Sequence, residues 1–499
     1  MLSAHLRLDP EFAVGEVDRR IFGSFVEHMG RCVYGGIYEP DHPDADDEGF
    51  RRDVIELTRE LGVSVIRYPG GNFLSGYEWE DGIGPRSERP VRLDRAWRSV
   101  ETNQVGTDDF MSWARKADVE PMMAVNLGTR GLQEACDLLE YCNYPGGTKW
   151  SDLRASNGSP DPYGVRLWCL GNEMDGPWQM GHKTAHEYGR VAAETARAMR
   201  RIDGRIELVA SGSSSSAMPT FGSWENTMLT EAYDLVDFVS AHAYYQELNG
   251  DTASFLASGV DMDLIIDTVI ATADSVGARL RSKKKLRLSF DEWNVWYQGA
   301  FAGEMSLEYE TQPRLIEDEY HGLDAVVVGA LLISLLRHAD RVGVANQAQL
   351  VNVIGAIRAE PGTPAWRQTI FHPFALTARY ARGTSLRPTI VSPVHDTAKY
   401  GDVTVLDAAA TTDPETGAVA VFCVNRSADE ALAVDLSVAG REVRVVEHLV
   451  MSGDRLANTQ ESPDAATPRN VPVSQVQDGS TTVELPAASW SMIRLEPVG

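Results

Sequence analysis

Cysteine is scarce in this 499-residue chain: five residues, Cys32, Cys136, Cys142, Cys169 and Cys423, spread far apart and with no CxxC pair. That excludes a disulfide framework and a cysteine zinc site. No run of about 20 apolar residues occurs, so no membrane-spanning helix is expected. The first twenty residues hold no apolar stretch of signal-peptide length, and a cytoplasmic location is the expectation. Basic residues are outnumbered, 46 Lys and Arg against 72 Asp and Glu, a formal charge of −26. Such a surface repels phosphate backbones, which argues against a nucleic-acid partner. The one basic run, Ser282 to Lys285, reads as a solvated loop. Also missing are HxH and HExxH, the helical or strand pairs that hold catalytic metals, so no metal is expected. There is no GxSxG nucleophile elbow, and no GxGxxG turn follows the first strand.

What is present is a regular alternation. Eight short runs rich in β-branched residues begin at Ile21, Val63, Pro121, Val165, Ile206, Val236, Leu286 and Arg341. Amphipathic or buried helical patterns lie between them. FRRDVIELTRELG, from Phe50, spaces its apolar residues three and four apart and stops at glycine. HKTAHEYGRVAAETARAMRRIDG, from His182, ends in a basic last turn. LDAVVVGALLISLLRHAD, from Leu323, is apolar nearly all round and reads as buried, and AWRQTIFHPFALTARYARG follows from Ala365. Eight strand–helix units predict an α/β fold of the (β/α)8 TIM-barrel type over residues 20–382. Beyond Gly383 only Trp490 remains of eleven tryptophans, and short alternating strands separated by Gly, Asp, Asn and Ser take over. Residues 383–499 therefore read as an antiparallel β-sandwich, with residues 1–19 supplying an N-terminal strand that could join it.

Reacting groups of such a barrel lie at the C-terminal ends of its strands. That filter selects Glu27 after the first strand, Glu173 at the end of the fourth and Glu292 at the end of the seventh. A glutamate at a strand end is commonly a surface or capping group. Glu173 and Glu292, however, terminate apolar runs, in CLGNEMDGPW and LSFDEWNVWY, and a buried strand does not run into a carboxylate without water, a partner or a ligand. Two carboxylates facing across one cleft are what glycoside cleavage requires, and a retaining enzyme needs them about 5–5.5 Å apart. Strand alternation turns Asp291 away from the lumen, towards structural hydrogen bonds. Trp97, Trp178, Trp293, Trp296, Tyr244 and Tyr245 fall in or near strand-end loops, where rings stack on the C–H faces of sugars or pack the barrel. His242, near the end of the sixth strand, reads equally as a structural hydrogen-bonding histidine or as a site residue meeting the substrate, and the serine run from Gly212 reads as a loop rather than a nucleophile site.

Several segments then carry a resemblance. FGSFVEHMGRCVYGGIYEP, RYPGGNFLSGYEWEDGIGP, LWCLGNEMDGPWQMGHKTAHEYGR, LSFDEWNVWY and AQLVNVI resemble the signatures of glycoside hydrolase family 51, the α-L-arabinofuranosidases. The similarity runs through residues 20–381 and continues more weakly beyond. It implies Glu173 as general acid/base and Glu292 as nucleophile, with retention and no cofactor. It implies that Asn172 meets the sugar 2-hydroxyl and that Glu27, Asn72 and Gln349 meet the other hydroxyls. Arg67 and Tyr244 would hold the nucleophile ionised; Trp97, Trp178 and Trp296 would frame the pocket and the aglycone side. A hexamer is the family's common assembly, and terminal arabinofuranose of arabino-oligosaccharides its substrate. Two departures are SAHAYY where SLHQYY is usual, and RVGVANQAQL where Cys-Leu more often precedes AQL; both keep His242, Tyr244 and Gln349. A β-D-galactofuranosidase, β-xylosidase or endo-β-glucanase of the same family, or a non-catalytic carbohydrate-binding protein, are the competing expectations.

Overall fold

The computed structural model describes residues 1–472 and 481–498, so residues 473–480 and 499 of the expected sandwich lie outside the described residues. Eight parallel strands close into a barrel in sequence order: β1 (Gly23–Phe25), β2 (Val65–Tyr68), β3 (Glu120–Val125), β4 (Leu167–Leu170), β5 (Glu207–Ala210), β6 (Phe238–Tyr245), β7 (Arg287–Val295) and β8 (Val342–Gln347). Each begins within one of the eight apolar runs or a residue before it, and β7 continues two residues past its run, to Val295. The lumen is filled from alternate positions by Val65, Met122, Ala124, Leu167, Cys169, Val209, Phe238 and Val344, which makes the barrel a packed core that opens only at its C-terminal rim.

Helices surround the strands because their apolar faces must be buried against the sheet. Arg52–Leu61 stops at Gly62, whose φ of 79° gives the left-handed turn that closes the last carbonyls. Ala185–Ile202 starts at Thr184, which accepts from Glu187 N, and ends with Arg200 and Arg201 near its C-terminal dipole. Gly322–Arg337 is buried from Gly322 to Leu336 because it is covered on both sides, by the barrel and by the C-terminal strands. A methyl group at Gly329 would overlap Cδ1 of Trp490, so glycine is required where this helix meets the sheet. From the Ala365 stretch only Phe371–Tyr380 is helical; Trp366–Arg367 pairs with Ile357–Arg358 as a two-stranded ribbon.

Eleven further strands form two facing sheets. A seven-stranded sheet contains Ala13–Glu16, Thr384–Leu386, Leu406–Thr412, Val419–Asn425, Ser489–Pro497, Val443–Ser452 and Arg469–Asn470. A four-stranded sheet contains Thr389–Val391, Leu2–Leu8, Leu432–Val438 and Thr481–Leu485. Leu6, Leu8, Val421, Leu436, Ile493 and Leu495 are among the residues packed between them. Pairing in these two sheets is antiparallel except for Leu2–Leu8, which runs parallel to Leu432–Val438. The N-terminal segment enters from outside the meander, so no hairpin constrains its direction.

Candidate active site

The C-terminal rim of the barrel gathers most of the selected side chains around a cavity of about 490 Å³. Glu27, Asn72, Trp97, Glu173, Trp178, Tyr244, Glu292, Trp296 and Gln349 line it. Arg67, Asn172 and His242 lie beneath: Arg67 bonds Glu292 and Asn172, and His242 bonds Glu173. Of the other two aromatics, Trp293 faces outward, stacked on Phe374 at 6.4 Å, and Tyr245 is buried in the outer core.

Glu292 is gripped from two strands. Arg67 Nη1, at the end of β2, donates to Oε1 at 2.7 Å, and Tyr244 OH, on β6, donates to Oε2 at 2.8 Å. Burial opposes the Arg67 cation, but the charges of Asp291 and Glu292 outweigh it and hold its pKa above the ordinary value. Burial, with the charges of Glu292 and Glu173, pushes the Tyr244 phenol well up, so it stays a donor. Arg67 Nη2 also donates to Asn172 Oδ1 at 2.5 Å, which orients that amide.

Glu173 stands two residues after Gly171, and both have positive φ, 86° for the glycine and 42° for the glutamate. For a non-glycine residue this is a strained conformation, of the kind concentrated at functional sites. Its Oε1 is 2.9 Å from His242 Nδ1, and its Oε2 accepts from Trp178 Nε1 at 2.7 Å. His242 Nε2 lies 3.0 Å from Asp291 Oδ1. Burial alone would discharge this imidazole; the charge of Glu292 and the hydrogen bonds to Asp291 and Glu173 prevail and raise it to about 10. At neutral pH it is an imidazolium donating from both nitrogens.

Asp291 corrects a sequence expectation. It faces the lumen, in reach of His242, of Cys169 Sγ at 3.7 Å and of Arg67 Nε at 4.0 Å. The cause is a bulge in β7. Ser240 pairs with Ser289 but His242 with Glu292, and Phe290 pairs with Ala345 but Trp293 with Gln347. One extra residue in β7 turns two consecutive carboxylates inward where simple alternation allows one.

Glu27 completes the group. Its Oε1 accepts from Phe73 N at 3.0 Å and Trp97 Nε1 at 2.9 Å, and Gln349 Nε2 lies 3.3 Å from Oε2. Burial pushes this carboxyl up to about 8 against those two donors, and the Glu292 charge adds to the rise. The double glycine before Asn72 is needed for close approach: a methyl group on Gly71 would stand 3.2 Å from Glu292 Oε1 and 3.3 Å from Glu27 Oε2.

One atom each of Glu173, His242 and Glu292 lies within 4.8 Å of the others, a spacing that also suits a metal ion. Both imidazole nitrogens are engaged by carboxylates, and a guanidinium already neutralises Glu292, so this donor set fits protons better than a cation. Asn172 Nδ2, Gln349 Oε1 and Trp296 Nε1 are buried without a hydrogen-bond partner, and all three residues border the cavity or its floor. Polar atoms in that condition suit an ordered water or a hydroxyl-bearing ligand.

The sequence reading missed other lining groups. Phe301 bridges Trp97 and Trp296, at centroid distances of 6.4 and 6.5 Å, and Trp296 meets Tyr244 edge-on at 5.2 Å, forming one aromatic arc. Met218, Ser214 and Ser215 come from the serine-rich loop after β5, which the strand-end rule points to; nothing local marks Phe301.

Comparison with known proteins agrees with this geometry. Residues 57–256 match the α-L-arabinofuranosidase 1 domain and residues 291–489 the α-L-arabinofuranosidase C-terminal domain. The chain is 57% identical to an intracellular exo-α-(1→5)-L-arabinofuranosidase of Streptomyces lividans, over 99% of this chain and 75% of that one. It is 52% identical to an exo-α-(1→6)-L-arabinofuranosidase of Bifidobacterium longum, over 99% and 97%. Among solved structures, a family 51 α-L-arabinofuranosidase from Bifidobacterium longum superposes with a TM-score of 0.95 at 47% identity, over 99% of both chains. The chain belongs to the α-L-arabinofuranosidases of glycoside hydrolase family 51.

Proposed function

We propose that this chain is a retaining, exo-acting α-L-arabinofuranosidase that releases terminal L-arabinofuranose by double displacement. The observation that carries the reading is the approach of Glu173 to Glu292, with carboxylate atoms within 4.8 Å. A nearest-oxygen approach of that length agrees with the roughly 5–5.5 Å carboxyl spacing of retaining enzymes. Glu292, held as an anion by Arg67 and Tyr244, attacks the anomeric carbon while Glu173 protonates the departing oxygen. Glu173 then takes a proton from water, which attacks the same carbon and frees the sugar. Asn172 is placed to meet the 2-hydroxyl, and Glu27, Asn72 and Gln349 the others. Trp97 and Trp296 wall the ring, Trp178 faces the aglycone, and His242 supports Glu173 from below.

The sugar rests on family membership and on the names of the relatives, two of which differ in the linkage they cleave. The intracellular naming of the first supports action inside the cell, on short arabino-oligosaccharides derived from arabinan. A homo-hexamer is proposed on family membership alone. The test is Glu292→Ala and Glu173→Ala assayed with azide: β-arabinofuranosyl azide is expected from the first and the α-anomer from the second. Wild-type turnover in either variant overturns the assignment. A more than tenfold preference for 4-nitrophenyl β-xyloside or β-galactofuranoside over the α-L-arabinofuranoside overturns the sugar.

A further inference from the structure

Asp291 takes no part in the double displacement, yet it is 1% exposed and stands next to the nucleophile. A carboxylate so deeply buried is costly unless charged or hydrogen-bonding partners offset it. It lies below the cavity rather than on its wall, so the substrate is not its partner. Oδ1 is 3.0 Å from His242 Nε2. Oδ2 is 3.7 Å from Cys169 Sγ and 4.0 Å from Arg67 Nε, an atom with no hydrogen-bond partner. The main bond of Asp291 is therefore to His242.

His242 meets carboxylates through both ring nitrogens. Nδ1 is 2.9 Å from Glu173 Oε1 and 3.5 Å from Glu292 Oε2, while Nε2 faces Asp291. A neutral imidazole has one bare nitrogen, which here would oppose a carboxylate lone pair or take a proton from Glu173. The latter puts the acid's proton at Oε1, on the floor and away from the cavity. The imidazolium avoids both, donating to Asp291 on one side and to Glu173 on the other. Oε1 is then an acceptor, and the proton of the acid is on Oε2. That oxygen accepts from Trp178 Nε1 through one lone pair and, as a hydroxyl, still donates to the departing oxygen. As a carboxylate oxygen it has a second lone pair for the proton of the attacking water.

Charge leads to the same arrangement. With Glu173 protonated, the cations Arg67 and His242 face the anions Asp291 and Glu292. Once Glu292 is bonded to the anomeric carbon and the Glu173 proton has left on the alcohol, they face Asp291 and Glu173. Cations and anions match in both states, since Glu27 keeps its proton near neutrality. We propose that Asp291 is a positioning residue, the constant counter-charge that holds the His242 ring between the two carboxylates, so that the charge passing from Glu292 to Glu173 and back stays beside one cation. This rests on the assignment of Glu173 and Glu292. The other titratable groups packed around them are Cys169 from β4, Tyr244 from β6 and Tyr188 from Ala185–Ile202, all kept neutral by burial. Asp175, lifted to about 6 by burial, is turned to Ser214 and is the same in both states.

The test is Asp291→Asn in the full-length protein, which keeps the shape and an oxygen for His242 but loses the charge. Hydrolysis of an α-linked arabinobiose is followed across pH. The basic limb of kcat/KM marks the first proton lost from Glu173 and His242 together. With one anion gone, the surplus cation favours that loss, so the limb should move down by about one pH unit or more. At the wild-type optimum kcat should fall roughly tenfold or more, the scale of one hydrogen bond to a charged group. In a His242→Gln background the same substitution should change kcat by less than about threefold, because Asp291 acts through the ring. Nitrogen-15 NMR of histidine-labelled wild type, with His242 assigned by its loss in His242→Gln, gives a reading that does not depend on the Asp291 variant folding: both ring nitrogens should carry protons at about pH 8. An unmoved or raised limb with uniform loss at every pH, full additivity of the two substitutions, or a bare ring nitrogen on His242 overturns the proposal. Failure of the underlying assignment is seen separately, as Glu173→Ala still hydrolysing the disaccharide.

Discussion

Replacing Glu27 with Gln removes the ionisable group from the most buried of the pocket carboxyls while leaving an oxygen for Phe73 N and Trp97 Nε1. Burial raises this carboxyl from 4.5 to about 8. A folded-state value above the unfolded one contributes stability that is fully present below pH 4.5 and lost as pH rises through 8. At about 1.4 kcal/mol per unit, the roughly 3.5-unit rise costs on the order of 5 kcal/mol once the group is ionised. Between pH 5.5 and 7.5 the wild type therefore loses about 3 kcal/mol that Glu27→Gln keeps. His242 has its own loss, from 6.5 towards 10, but both proteins share it and it cancels in the difference. Denaturant unfolding followed by tryptophan emission reads the barrel, since ten of the eleven tryptophans precede residue 383. The stability difference, variant minus wild type, should rise across that interval and level off above pH 8. A difference that is flat with pH, or that falls, refutes the reasoning. Activity is expected to drop in the variant, as is usual where a buried polar group serves binding.

Tyr244→Phe deletes one of the two donors to Glu292 and leaves Arg67. A hydrogen bond to a charged group is worth about 1.5–3 kcal/mol, so kcat/KM for 4-nitrophenyl α-L-arabinofuranoside should fall roughly 10- to 150-fold; a change under threefold would show that Arg67 suffices. Gly329→Ala forces a methyl group against Trp490 and should destabilise the protein by about 1–3 kcal/mol or more. Its kcat/KM at low temperature should stay near wild type, because the contact lies between the helix and the C-terminal sheet, and an unchanged melting temperature would contradict the packing argument.

The eight barrel strands were legible because each is a short apolar run bounded by turn residues, and burial on both faces leaves that pattern in the chain. The same property hid Asp291. A parallel strand covered on both sides has no polar and apolar alternation to reveal its register, so the bulge that turns Asp291 inward beside Glu292 left no trace. Phe301 was hidden for another reason: it lies in the long excursion between β7 and the helix Gly322–Arg337, and its place between Trp97 and Trp296 depends on how that excursion folds over the rim. The parallel pairing of Leu2–Leu8 depends likewise on where a free N-terminal strand docks.

By itself the sequence determined the alternation of strands and helices, the strand ends at which Glu27, Glu173 and Glu292 stand, and the family to which they belong. These are local properties, written in the spacing of apolar residues and in the identity of the residues that close each run. The tertiary structure decided which atoms meet. The approach of Glu173 to Glu292, the sharing of His242 between Glu173 and Asp291, and the indole on Oε2 all join residues from different strands or loops. Their distances are set by barrel closure and by one residue of register in β7, quantities that no stretch of the chain contains.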